Sequence, residues 1–215
     1  MIETGEGDFA EEILLLNQLA EKLRERRFKQ GSIDFASDEV RFRLDEDGTP
    51  LEVYVKERKA SNMLIEDFML LANREVAAYI GRKEKARNKK IPFVYRVHDE
   101  PDPDKAMELA LFAKALGFEM DVSTPEQIAK SYNRLIARAE TDGALKMLSP
   151  LAIRTMAKAK YTTENIGHYG LGFSDYSHFT SPIRRYSDVL AHRILEKNLP
   201  KGSLYIENVA QLEEK

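Results

Sequence analysis

Between residues 29 and 56 the chain changes its hydrophobic period, and that change decides the class of fold. Upstream of it, Ile13, Leu16, Ala20 and Leu23 recur at three- and four-residue steps, which puts apolar side chains on one face of a helix. The spacing predicts a helix from about Phe9 to Lys29, with Glu11 and Glu12 near its positive end and Gly31 ending it. Downstream, Val40, Phe42 and Leu44 alternate with Arg41 and Arg43, and Leu51, Val53 and Val55 alternate with Glu52 and Tyr54. A period of two belongs to strands, and Asp47-Gly48-Thr49-Pro50 between the two runs reads as a turn. A β-hairpin is therefore predicted, preceded by an extended piece over Ser32–Ser37.

After the hairpin the helical period returns. Ser61 is placed to cap a helix running to about Ile80 and closed by Gly81. Its apolar positions Leu64, Phe68, Leu71, Val76 and Ile80 are numerous enough for burial on more than one side. Arg82–Lys90 holds six basic residues and one acid, which suits a solvated loop or, alternatively, a phosphate-facing one. Ile91–His98 reads as a short strand. Asp99, Asp102 and Asp104 invite a metal-site reading, but Asp102 before Pro103 is a helix cap plus a first-turn proline, and a helix over Asp104–Leu116 is expected. Further helices open at Ser123-Thr124-Pro125, reaching about Ala139, and at Ser149-Pro150, reaching about Ala159. The fold class is α+β in one unit: an N-terminal helix and β-hairpin followed by a mainly helical part. A chain of 215 residues, 43% of them hydrophobic, can bury one sizeable core or two small ones.

Composition narrows the function. A formal charge of −3 excludes binding nucleic acid through bulk positive charge, though not through a local basic site. Without cysteine, disulfides, thiol catalysis and cysteine-ligated metal centres are excluded. No apolar run approaches the ~20 residues of a membrane span, and no signal-type segment opens the chain. A soluble, cytoplasmic protein with no membrane partner is expected.

Chemistry concentrates in Gly167–Lys197, which carries His168, His178 and His192 out of four histidines in the chain. Thr180-Ser181-Pro182 is a helix-start signal, and Ile183, Tyr186, Leu190 and Ile194 then mark a buried face. Arg184 falls in the first turn of that expected helix. There the free N–H groups and the dipole favour an anion by roughly 0.3–1 kcal/mol, and a guanidinium adds a bidentate phosphate ligand. The competing reading is an internal ion pair from Arg184 to Asp188 at i,i+4, and spacing alone leaves the two level. The histidines lack carboxylate or cysteine partners at metal spacing and read as structural. Gly170-Leu171-Gly172 is too short to indicate a nucleotide loop.

The stretch GHYGLGFSDYSHFTSPIRRYSDVLAHRIL closely resembles the signature segment of the RNB exoribonucleases, the ribonuclease II and ribonuclease R family. Ile65-Glu66-Asp67-Phe68-Met69-Leu70-Leu71-Ala72-Asn73 is similar to the family's acidic helix, and Tyr95-Arg96-Val97-His98-Asp99 to its Tyr/Phe-Arg-x-His-Asp strand. The resemblance covers about Phe9 to Lys197 and leans toward the ribonuclease R branch. It implies a processive, hydrolytic 3′→5′ exoribonuclease that acts on single-stranded RNA, needs Mg²⁺ and releases nucleoside 5′-monophosphates. By position, Arg184 matches the arginine that clamps the phosphate near the scissile bond, and Glu66 an acid contacting the 3′-terminal nucleotide. Phe35 lies near the position of an aromatic that stacks on the terminal base, a contact worth ~1–3 kcal/mol. Tyr176 and His178 flank the arginine loop, and Arg185 adds basic character for RNA.

The family's metal ligands are aspartates upstream of the first helix matched here, so no residue of this chain is expected to hold the metal. Hydrolysis by two metals needs such carboxylates. The expectation is an excised, catalytically incomplete part of an RNB domain, lacking the Asp-rich segment and the flanking OB-fold modules and inactive alone. The alternative is a free-standing, non-catalytic RNA-binding or regulatory protein derived from the domain. An open reading frame continuing upstream into an Asp-rich motif would separate the two. The sequence leaves the oligomeric state open; edges and apolar surface left by truncation could drive dimerisation in a crystal.

Overall fold

The computed structural model describes residues 2, 4–34 and 39–200. The helical run of the N-terminus becomes α1 (Ala10–Lys29), whose entry residue Phe9 sits in the left-handed region at φ 59°. Ala20 and Arg27 are buried on it, while Leu16, expected on the inner face, is 40% exposed. The hairpin forms as β1 (Glu39–Leu44) and β2 (Pro50–Lys56), antiparallel, with Val40 opposite Val55 and Phe42 opposite Val53. Alternation thus places these four residues on one face, and every one of them is more than half exposed. The predicted extended piece over Ser32–Ser37 is described only through Asp34, where the backbone is irregular.

Helix α2 (Ala60–Arg87) runs past its expected stop. Gly81 lies inside it, and the Lys, Glu and Arg residues that follow are strong helix formers, so most of the segment read as a loop is helical. A glycine within a helix costs about 1 kcal/mol, and here a side chain would have met Asp175 Oδ1 at 3.2 Å. Strand β3 (Tyr95–Val97) is shorter than predicted and pairs antiparallel with β4 (Lys160–Thr162), which the sequence reading did not find. Helix α3 (Pro103–Ala115) is capped by Asp102, which accepts from the N–H groups of Asp104 and Lys105. Helix α4 (Pro125–Ala139) is capped by Thr124. A short α5 (Gly143–Lys146) and α6 (Ser149–Thr155) follow, the latter ending earlier than expected. The last helix is α7 (Tyr186–Asn198).

Where the sequence suggested one unit, the chain forms two compact ones. The first gathers residues 1–69, 100–157 and 169–172; the second gathers 70–99, 158–168 and 173–215. Each unit takes part of α2, the boundary lying between Met69 and Leu70. The core of the first packs Ala106, Leu109 and Ala113 of α3 with Ile128, Tyr132 and Leu135 of α4, joined by Ile33, Leu145 and Ala152. Within it Asp67 is buried and accepts from Arg24 at 2.7 Å and Arg27 at 3.3 Å. In the second, Ala77 and Ile80 of α2 pack with Phe93, Tyr95, Val97 and Ala191. Among the described residues no helix is long and apolar enough to cross a membrane.

Candidate functional site

The second unit assembles its site around β3. On a three-residue strand with Tyr95 and Val97 buried, alternation turns Arg96 to the other face. Arg96 is paired in register with Tyr161 on β4, so the two side chains share that face, and the guanidinium carbon lies 4.7 Å from the Tyr161 ring centre. Along the other edge of β3, the Arg96 N–H donates to the Tyr176 carbonyl at 3.0 Å, and the Ser177 hydroxyl donates to the Val94 carbonyl at 2.6 Å. This sets His178 beside the pair: its Nδ1 is 2.7 Å from the Tyr161 hydroxyl, with the rings edge to face at 5.6 Å.

Asn73 of α2 holds the same segment from below. Its Nδ2 donates to the Tyr176 hydroxyl at 3.1 Å and its Oδ1 accepts from the Phe179 N–H at 2.9 Å. Fully engaged and buried, Asn73 explains why an asparagine follows Ala72 in this helix, a role that sequence spacing does not reveal.

Arg184 is not in a helix. The chain makes a turn over 182–184 and α7 begins only at Tyr186. Asp188 is the reason. Its fully buried carboxylate takes the Ser181 N–H at 2.8 Å, Arg185 Nε and Nη2 at 3.1 and 2.8 Å, and the Ser187 hydroxyl at 3.1 Å. Because it binds the backbone at Ser181, the segment from there to Arg185 loops outward instead of joining the helix. Ile183 is therefore 98% exposed and Tyr186 69%, a correction to the buried face expected for them. Burial works to raise the Asp188 carboxyl, but the hydrogen bonds from Arg185, Ser181 and Ser187 outweigh it and hold the group below its ordinary value.

The ion pair to Asp188 is thus made by Arg185 at i,i+3, not by Arg184 at i,i+4. Arg184 is exposed and forms no ion pair among the described residues. His178 sits in the field of this loop. Burial lowers its imidazole to about 4, with Arg185, Arg96 and, more weakly, Arg184 acting in the same sense against the pull of Asp188. The ring is neutral at neutral pH.

The remaining predicted residues fall elsewhere. Tyr176 is buried, its ring 5.9 Å from that of His178, and supports that ring instead of facing solvent. Glu66 belongs to the first unit, where Arg58 Nη2 donates to both its oxygens at 2.8 and 2.9 Å and Arg58 Nη1 donates to Asp34 at 3.4 Å. Phe35 lies outside the described residues. His168 stacks on His98 at 5.0 Å, and burial with the nearby His98 lowers it to about 3. His192 stacks on Phe179 at 3.9 Å, as a structural histidine would. Among the described residues no three histidine, aspartate or glutamate side chains gather as a candidate metal site. Arg96 and Tyr161 were not singled out by sequence; the alternation of Tyr95-Arg96-Val97 was the available signal for the arginine.

A model of the RNB domain matches residues 3–201. Ribonuclease R of Thermotoga maritima is 38% identical over 192 residues, covering 87% of this chain and 26% of that protein. Ribonuclease R of Aquifex aeolicus is 36% identical over 209 residues, covering 96% of this chain and 28% of that protein. Among solved structures, Mycoplasma genitalium RNase R in complex with ribose-methylated single-stranded RNA superposes with a TM-score of 0.76 at 27% identity, covering 94% of this chain and 31% of that one. The chain spans about a quarter of the length of the relatives it matches.

Proposed function

The chain belongs to the RNB domain family, and on that premise we propose that it is the RNA-gripping part of a processive, hydrolytic 3′→5′ exoribonuclease of the ribonuclease R type. Arg184 carries the reading: it stands on an exposed turn without a carboxylate, while its neighbour Arg185 is neutralised by Asp188. A guanidinium left in that state is a bidentate ligand for a phosphodiester, and its contact strengthens as charge builds on the phosphate in the transition state. That a relative's structure holds single-stranded RNA supports RNA as the substrate.

Mg²⁺ would activate the attacking water in such an enzyme. What this chain contributes is binding and orientation of the strand. Alone, it is expected to bind single-stranded RNA and to leave it intact.

End-labelled single-stranded RNA incubated with the 215-residue chain and Mg²⁺ tests both halves. Binding with no shortened products is expected, and Arg184→Gln should weaken the binding about tenfold, as for loss of one charge-assisted contact. Arg184→Lys should recover little of it, since the fork is lost. A ladder of products, or unchanged affinity in Arg184→Gln, would overturn the proposal.

A further inference from the structure

Arg184 leaves a second cation unexplained. Arg96 is half-buried against the Tyr161 ring, yet its guanidinium makes no hydrogen bond or ion pair with a carboxylate among the described residues. Asp188, which offsets Arg185, is already saturated by four donors. Arg96, Arg185 and Arg184 all act on the His178 imidazole as positive charges, and among the described residues Asp188 is the carboxylate that acts against them. Like charges gathered in this way repel, and the arrangement is relieved when an anion enters.

We propose that Arg96, Tyr161 and His178 form a second phosphate subsite in the same unit as Arg184, taking a further phosphodiester of the same RNA strand. The inference rests on the reading of the chain as an RNA-gripping RNB segment and extends it to residues outside the arginine turn. Each group has a distinct part. Arg96 supplies the fork and already lies against the Tyr161 ring, so less side-chain freedom is lost when it takes a phosphate. The Tyr161 hydroxyl and His178 Nδ1 share a hydrogen bond of 2.7 Å. With the hydroxyl as donor in that bond, Nε2–H is the ring's remaining donor. Uncharged, the ring donates to a phosphate oxygen or a ribose hydroxyl without adding a fourth cation to the cluster. Tyr161 is 44% exposed, so the pair is open to a strand from solvent.

The test measures binding of a fluorescein-labelled oligouridylate to the 215-residue chain by anisotropy across a salt series. Each phosphate contact on a single strand contributes about 0.7 to the slope of log affinity against log salt. Arg96→Gln should weaken binding about tenfold and lower the slope by about that amount. Tyr161→Phe, which keeps the ring, should weaken binding with little change in slope. Arg82→Gln removes an exposed charge from the same unit and should leave both quantities near wild type. If Arg82→Gln and Arg96→Gln weaken binding equally, bulk charge is the cause and the subsite is overturned. If Arg184→Gln weakens binding and Arg96→Gln does not, the subsite is likewise overturned while the RNA reading stands.

Should Arg96→Gln fail to fold by circular dichroism, the unmodified chain decides. Its Arg96 Nε–H and His178 ring resonances should shift on adding the oligonucleotide, and silence at both overturns the subsite. If the oligonucleotide does not bind but inorganic phosphate moves those resonances, the anion site stands and the RNA reading fails.

Discussion

Asp188 decides which of two adjacent arginines is left for a ligand. At i,i+3 on the first turn of α7 it meets Arg185, and through Ser181 it fixes the turn that carries Arg184 outward. The carboxylate is fully buried while the Arg185 side chain keeps 18% of its surface exposed, so the two partners are not equivalent. Removing the arginine strands a buried charge. Arg185→Met should therefore cost about 3 kcal/mol or more, read as a shift of the urea midpoint, and it should raise the Asp188 carboxyl toward its ordinary range. A loss below ~1 kcal/mol would mean that Ser181 and Ser187 alone satisfy the carboxylate.

Among the elements, one glycine shows how a local signal differs from a tertiary one. Gly172 ends the short 3₁₀ turn Tyr169–Leu171 at φ +64°, and a Cβ there would lie 2.9 Å from the Ser32 nitrogen and 3.0 Å from the Gln30 carbonyl oxygen. Gly117, after α3, has φ +79° with nothing within 4 Å. Gly117→Ala should cost about 1–2 kcal/mol for the left-handed backbone alone. Gly172→Ala should cost clearly more, since backbone must move as well. Equal urea midpoints for the two variants would contradict the close approach. The same distinction separates the elements that could be read from sequence from those that could not. The starts of α3 and α4 were legible because Asp102 and Thr124 act within three residues of themselves. The stop at Gly81 was misread because a glycine marks a helix end only where the backbone turns left-handed, and here it does not. Strand β4 and the late start of α7 escaped because a distant strand and the carboxylate of Asp188 determine them. Arg184 was visible as one of two open readings, whereas Arg96 and Tyr161 become neighbours only through β3–β4 pairing.

At the scale of the whole molecule, pH tests how the histidines are held. His168 and His178 have folded values of about 3 and about 4, both below the ordinary 6.5. The unfolded chain therefore binds more protons between those values and pH 6.5. The corresponding stability is complete above pH 6.5 and is lost as pH falls through that window. The loss should stay below about 1.4 kcal/mol per histidine per pH unit, and be smaller still because both rings are only half-buried. Thermal unfolding followed from pH 7 to pH 4.5 should show a falling midpoint, and His178→Asn should flatten the decline. A midpoint independent of pH over that range would mean that both rings titrate normally in the folded protein.

The two units are interleaved along the chain, each built from three separate stretches. In the first, the Gly170 carbonyl receives the Ile33 N–H at 3.0 Å, and the Ser32 hydroxyl at 3.4 Å from 138 residues away. In the second, Asn73 waits for Tyr176 and Phe179, more than 100 residues later. Neither unit can close during synthesis until its last stretch has left the ribosome, so the N-terminal half must persist without its final partners while the rest is made. No single cut of the chain yields either unit whole, so the two are inherited, expressed and degraded as one.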